Sequence, residues 1–254
     1  MEKSMNKPET RLRLDYFIDP SLRLYQDPKA FCFNSDSAAL ALFAPSVKGK
    51  RVAEIGCNNG AILLYLDQFS PAFLCGIEIQ EQPAELAKYN LSSFAHGDWQ
   101  IIQGSVNNPD LDLSAGSFDV VLCNPPYFPL PPDKQAQTLT SKERARFEAD
   151  LNVEGMCLSA SRLLRSNGKF ACVHRPDRLS ELMDALKKAK LCPSRLQIAY
   201  DAKSSAASAI LLEAVKEGTC AMEIEPPKWY DRTSRPKTGL HPAVTETQSP
   251  DEAE

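Results

Sequence analysis

The chain has 254 residues, 43% hydrophobic and 24% charged, which suits one large α/β domain or two small ones. No apolar stretch is long enough for a membrane-spanning helix. The N-terminal MEKSMNKPETR lacks the apolar centre of a secretory signal, so a soluble, cytoplasmic protein without a membrane partner is expected. The net charge of −4 points away from nucleic acid. But Glu246, Asp251, Glu252 and Glu254 lie in the last nine residues, which hold no Lys or Arg, and the remaining body is neutral.

Residues 1–20 are polar and charged, with RLRLDYFI the strand-like part, and LRLYQ and AFCF follow as short apolar pieces able to pair. NSDSAALALFA (34–44) predicts a helix, with Asn34 or Ser35 as N-cap and Pro45 at its stop. From residue 51 strands and helices alternate. RVAEIG (51–56), FLCGIEI (73–79), WQIIQGSV (99–106), FDVVLCN (118–124) and KFACVHR (169–175) predict strands. AILLYLDQF (61–69), QPAELAKYNLSSF (82–94), DLNVEGMCLSASRLLR (150–165) and DRLSELMDALKKA (177–189) predict helices, the third stopped by Ser166-Asn167-Gly168. RLQIAY (195–200) and SAILLEAVK (208–216) are the last strands. The link between them is too short for a crossover, so they form an antiparallel hairpin. The sum is a doubly wound α/β sheet of seven strands, helices on both faces. Residues 219–254, rich in Pro, Thr, Ser and Glu, read as a tail that packs partly and then becomes disordered.

The eight cysteines form no CxxC pair, which excludes the usual zinc and redox motifs, and several lie in apolar strand runs. Reduced structural thiols and no metal are expected. Arg162 to Arg178 and KWYDRTSRPK (228–237) are basic for their length. Either reads as a patch for an anionic partner or as a solvated face.

Ligands of doubly wound sheets bind beyond the carboxyl ends of the strands. The first strand of the alternation ends in EIGCNNG, where Gly56 and Gly60 permit a tight turn and close backbone approach. The G-x-G-x-x-G spacing of a dinucleotide site is absent, and Glu54 suits an ammonium better than a pyrophosphate. The second strand ends in Glu78, placed to accept two ribose hydroxyls, with Ile79 after it. The third brings Ser105 and Val106 to an adenine edge. Each acid alone also fits a solvated strand end. Taken in order, an amino acid, a ribose and an adenine describe S-adenosylmethionine.

The fourth strand ends in CNPPYF. Each proline fixes φ and pushes the residue before it toward extended backbone, so Asn124 and Pro125 leave the sheet rigidly. A planar amine such as adenine N6 is a poor nucleophile because its lone pair is delocalised. The Asn124 side-chain oxygen and the Pro125 carbonyl could accept its two N–H groups, and Tyr127 offers a face for stacking. No histidine base is required, and His96, His174 and His241 read as structural or surface residues. Alone, such a tetrapeptide could be a simple turn.

In RLDYFI, FCFNSDSAALALFA, GIEIQE, FDVVLCNPPYF, ARFE, GKFACVHRPDRL and SAILLEAVKEG, the chain resembles the Rossmann-like class I methyltransferases with an NPPY motif. It is most similar to the bacterial enzymes that methylate adenine N6 of tRNA at position 37 of valine tRNA. The resemblance covers roughly residues 12–218. It implies an N-terminal extension or lid (1–45), a catalytic domain (46–218) and the tail, acting on tRNA; the sequence does not fix the oligomeric state, and a monomer is favoured. It assigns Glu54, Gly56, Asn58, Gly60, Glu78, Ile79, Ser105, Val106 and Asn124 to the donor. Asn124, Pro125, Pro126 and Tyr127 are the catalytic motif. Tyr127, Phe128, Asp36, Arg144, Arg146 and Arg175 are assigned to substrate, with Lys142 and Phe33 near them. Arg146 and Glu148 equally fit a local ion pair.

Three positions depart from the family pattern. Its central glycine is Asn58, its third-strand acid is Ser105, and the histidine of ARHE is Phe147. Asparagine tolerates left-handed backbone better than most residues, so the turn can survive. Protein glutamine N5-methylation, DNA adenine methylation and a non-catalytic RNA- or partner-binding fold are the competing readings. The first usually needs a longer helical N-terminal domain and the second a target-recognition domain.

Overall fold

A computed structural model describes residues 12–108, 111, 113–131, 134–135, 138–145, 147–201 and 206–230. Arg146, His241 and the part of the tail beyond residue 230, with most of KWYDRTSRPK, lie outside the described residues. The chain opens with an antiparallel hairpin of β1 (Arg13–Phe17) and β2 (Asp19–Gln26). Tyr25 and Leu24 of LRLYQ thus face Leu14 and Asp15 of RLDYF, and not AFCF, which carries no strand pairing and leads into α1 (Ser35–Phe43). Asn34 caps α1, its side-chain oxygen accepting from the backbone N–H groups of Asp36 and Ser37.

The alternation from residue 51 becomes β3 (Arg51–Ile55), α2 (Ala61–Asp67), β4 (Phe73–Glu78), α3 (Glu81–Phe94), β5 (Trp99–Gln103) and β6 (Phe118–Cys123). A one-turn α4 (Ser141–Arg144), α5 (Val153–Leu163), β7 (Leu164–His174), α6 (Leu179–Lys188), β8 (Leu191–Asp201) and β9 (Ala207–Lys216) follow. These seven strands lie in the order β5-β4-β3-β6-β7-β9-β8. All pairs are parallel except those of β9, which slots antiparallel between β7 and β8. The sheet is the doubly wound one expected. Side chains alternate across it: Val52, Leu74, Val120 and Leu122 pack under α1, α2, α3 and the hairpin, and Ala53, Cys75, Val121 and Cys123 under α5 and α6.

Several details differ from the expectations above. Helix α5 stops at Leu163, before Ser166-Asn167-Gly168, because Leu164 is fully buried and already pairs with Phe118. Two short strands, β10 (Glu223–Ile224) and β11 (Lys228–Tyr230), add parallel to the outer edge of β8 and make nine. Pro226 and Pro227, which lack donors, separate them. The expectation that all cysteines are reduced is corrected. Cys192, early in β8, is disulfide-bonded to Cys220 just past β9, 28 residues away with Cα atoms 4.8 Å apart. The hairpin turn brings them together, which no local spacing announces. The other six are free, five of them buried.

One buried side chain docks the N-terminal hairpin on the domain. Asn90 of α3 is fully buried; its Oδ1 accepts from Tyr25 N (2.8 Å), and its Nδ2 donates to the carbonyls of Tyr25 and Asn59 (both 2.9 Å). Asn90→Ala would remove all three of these bonds at a fully buried position. We expect a loss of about 2–4 kcal/mol in urea unfolding, far above a surface substitution.

Candidate active site

The strand order reverses between β3 and β6, and a cleft opens at their carboxyl ends. Ile55 pairs with Ile77 on one side and Cys123 on the other, so Gly56, Glu78 and Asn124 follow side by side. The loop after β3 is left-handed three times, at Gly56 (φ +73°), Asn58 (+47°) and Gly60 (+79°). The left-handed backbone at Gly60 favours glycine, and a Cβ there would also have to displace the end of the Leu91 side chain, Cδ1 lying 2.6 Å from it. Asn58 takes the strained turn itself, and its Nδ2 donates to the Phe31 carbonyl (2.8 Å), tying this loop to the N-terminal segment.

Glu78 is held by backbone. Its Oε2 accepts from Asn58 N and its Oε1 from Gln80 N, both at 2.9 Å, leaving lone pairs on each oxygen. Glu54 sits deeper, 3% exposed, and its Oε2 has no protein partner. Burial, then the charge of Glu78, pushes its carboxyl well above the usual carboxylate range. Glu78 is raised also, chiefly by burial. Ile79, Ser105, Val106, Phe33, Asn58, Asn124 and Pro126 line the same cleft, and Arg144 and Phe147 close it from the 141–151 segment.

A second recess opens on the other side of Asn124, lined by Asp36, Pro125, Tyr127, Phe128, His174 and Arg175. Asn124, Phe31 and Ala145 border both. The Tyr127 hydroxyl donates to Asn124 Oδ1 (2.6 Å), and its ring lies 5.5 Å from that of His174. The sequence predicts a stacking face from Tyr127; the hydroxyl contact is additional. His174 is buried, its Nδ1 accepting from Arg175 N (2.9 Å). Burial lowers its pKa to about 4, so the imidazole is neutral at pH 7.

The arginines divide differently from their common assignment to substrate. Arg144 lines the cleft between β3 and β6 and makes two hydrogen bonds to the Asp150 carboxylate, each 2.9 Å. Arg175 pairs with Asp177 and lies 4.9 Å over the Phe128 ring at the second recess. Lys142 donates to the Pro28 carbonyl (2.9 Å). Glu148 pairs with Arg178 (2.8 Å), the last residue of the basic run Arg162 to Arg178. Arg178 also reaches the Tyr127 carbonyl (3.4 Å) and so braces the NPPYF turn from behind. Both partners are largely buried, which makes the pair costly to break from one side. Among the described residues, no cluster of three or more His, Cys, Asp or Glu is placed to hold a metal, and no helix is long and apolar enough to cross a membrane.

The family model of a methyltransferase domain matches residues 46–220. The chain belongs to that methyltransferase family. The methyltransferase is similar to the tRNA1(Val) (adenine(37)-N6)-methyltransferase of Parabacteroides distasonis, 28% identical over 71% of this chain and 75% of that one. The protein of the same name in Cronobacter sakazakii is 27% identical over 72% and 74%. That of Porphyromonas gingivalis is 33% identical over 56% of each chain. Among solved structures, the predicted O-methyltransferase of Agrobacterium tumefaciens superposes with a TM-score of 0.58 at 18% identity, over 76% of this chain and 86% of that one. It shares the fold.

The cofactor of the methyltransferase is S-adenosylmethionine, and the cleft fits it. A buried carboxylate oxygen without a protein partner, Glu54 Oε2, suits an ammonium. Glu78 presents two anchored oxygens one strand away, where a ribose diol needs them.

Proposed function

We propose that this methyltransferase transfers the methyl group of S-adenosylmethionine to the exocyclic N6 of an adenine in tRNA, at position 37 of valine tRNA, and works in the cytoplasm, where tRNA is. The observation that supports this reading best is Asn124, which borders the donor cleft on one side and an aromatic recess on the other. The names of the tRNA-modifying relatives supply the nucleotide.

Bound, the donor supplies an electrophilic methyl group on a sulfonium. Glu54, Glu78, Ile79, Ser105 and Val106 would hold it, and Asn58 shapes the turn between Gly56 and Gly60. In the recess the adenine lies against Tyr127 and Phe128. Asn124 Oδ1 and the Pro125 carbonyl accept the two amine hydrogens, which turns the nitrogen lone pair toward the methyl carbon. The amine proton that the transfer would displace needs no acceptor among these residues and would go to solvent. No group need take that proton beforehand, which fits a His174 that is neutral and buried. Arg175 at the rim of the recess suits a phosphate of the flanking backbone.

The test is a competition. Unmodified bulk tRNA, duplex DNA and a glutamine-bearing peptide are offered together with a methyl-labelled donor. Label in the tRNA alone is the expected result; label in the peptide would replace the adenine reading with amide methylation.

A further inference from the structure

The side chain of Asn124 serves an amine only if its oxygen, not its nitrogen, faces the recess. A primary amide is nearly symmetric in shape, so something beyond packing must choose. Three contacts form a chain that runs in one direction. Asn34 Oδ1 accepts the backbone N–H groups of Asp36 (3.1 Å) and Ser37 (3.0 Å), so that atom is an oxygen. The one hydroxyl proton of Ser37 goes to the same oxygen, at 3.2 Å. Ser37 Oγ then has only lone pairs left to offer. Its other neighbour, 3.1 Å away, is the Asn124 amide, which must present its NH2. The Asn124 oxygen is thereby turned the opposite way, where the Tyr127 hydroxyl finds it at 2.6 Å. An amide oxygen has two lone pairs, so one remains for an incoming amine.

Ser37 is 6% exposed, and water cannot easily substitute for either of its bonds. It occupies the third position of α1, where a glutamate would ordinarily reach back to the cap. A serine is too short for that, and it instead passes the polarity of the cap across 87 residues of sequence to the end of β6.

We infer that Ser37, oriented by the Asn34 cap, is a positioning residue that sets the Asn124 amide and so the hydrogen-bond polarity offered to the acceptor amine. Its bearing on catalysis rests on the adenine reading above; the direction of the chain does not.

The test compares Ser37→Ala with Asn34→Asp, whose carboxylate accepts the same three bonds. Single-turnover methyl transfer to tRNA, donor affinity and melting temperature are measured for each, with the 15N-NMR signals of the Asn124 side-chain NH2, identified by their loss in Asn124→Ala. Ser37→Ala is expected to slow transfer about tenfold, with donor affinity within about threefold of the parent, and to shift the NH2 signals. Asn34→Asp should keep the rate within about threefold and leave those signals in place. Transfer at the parental rate in Ser37→Ala, a rate loss that merely tracks donor affinity, or Asn34→Asp as slow as Ser37→Ala would overturn the inference. If the parent protein transfers nothing to tRNA, the adenine reading fails and the NH2 signals decide alone: shifted in Ser37→Ala they support the relay, unshifted they overturn it.

Discussion

Replacing Asn124 by alanine is expected to lower the single-turnover rate of methyl transfer by about 10²-fold or more, the usual cost of deleting one fixed polar partner of a reacting group. Donor affinity should stay within about threefold, because the ammonium and ribose sites belong to other strands. The Asn124 side chain meets Ser37 and Tyr127, not Glu54 or Glu78, so its removal leaves the partners of the donor in place. A stopped-time assay with saturating donor separates the two effects. A parallel loss of rate and donor binding would show that the Asn124 side chain serves the donor and not the amine. Asn124→Asp is a sharper probe. It keeps an acceptor oxygen but cannot donate to Ser37, so it should fall between parent and alanine.

The second large effect concerns Glu54. Its buried carboxyl has no protein partner for Oε2, and burial and Glu78 raise its proton affinity. An ammonium beside it favours the ionised form, so donor binding displaces a proton wherever the free protein holds one. The sign follows: the affinity for S-adenosylmethionine should fall as pH drops through the raised range of Glu54, by up to tenfold per pH unit for one linked proton. Glu54→Gln removes the charge and keeps the shape. It should cost about 3 kcal/mol of donor binding at pH 8, roughly 100-fold in Kd, and flatten the pH dependence. Calorimetry in buffers of different ionisation enthalpy reads the released proton directly. Unchanged affinity in Glu54→Gln would put the ammonium elsewhere.

Much of this arrangement is legible in the amino-acid sequence. Short apolar runs such as FDVVLC and FLCGIE, too short for helices and bounded by turn residues, read as buried strands, and the prolines of CNPPYF mark where one ends. Glu54, Glu78 and Asn124 stand out because polar residues at three strand ends share one side of a doubly wound sheet, and parallel register then makes them neighbours. What stays hidden depends on distant contacts. Asn90 looks like any helical asparagine until Tyr25 and Asn59 lie over it. The Arg178–Glu148 pair spans 30 residues and two loops. Cys192 and Cys220 meet because a hairpin returns the chain, and β10 and β11 are too short to show a period. Ser37 carries no local signal, since its meaning lies in which atom of Asn124 it faces.

The most direct measurement is nucleoside analysis of valine tRNA, transcribed without modification, after incubation with the protein and labelled S-adenosylmethionine. The account predicts label in N6-methyladenosine at position 37, and none with Asn124→Ala. Label in another nucleoside, at another position, or undiminished in the variant would contradict it.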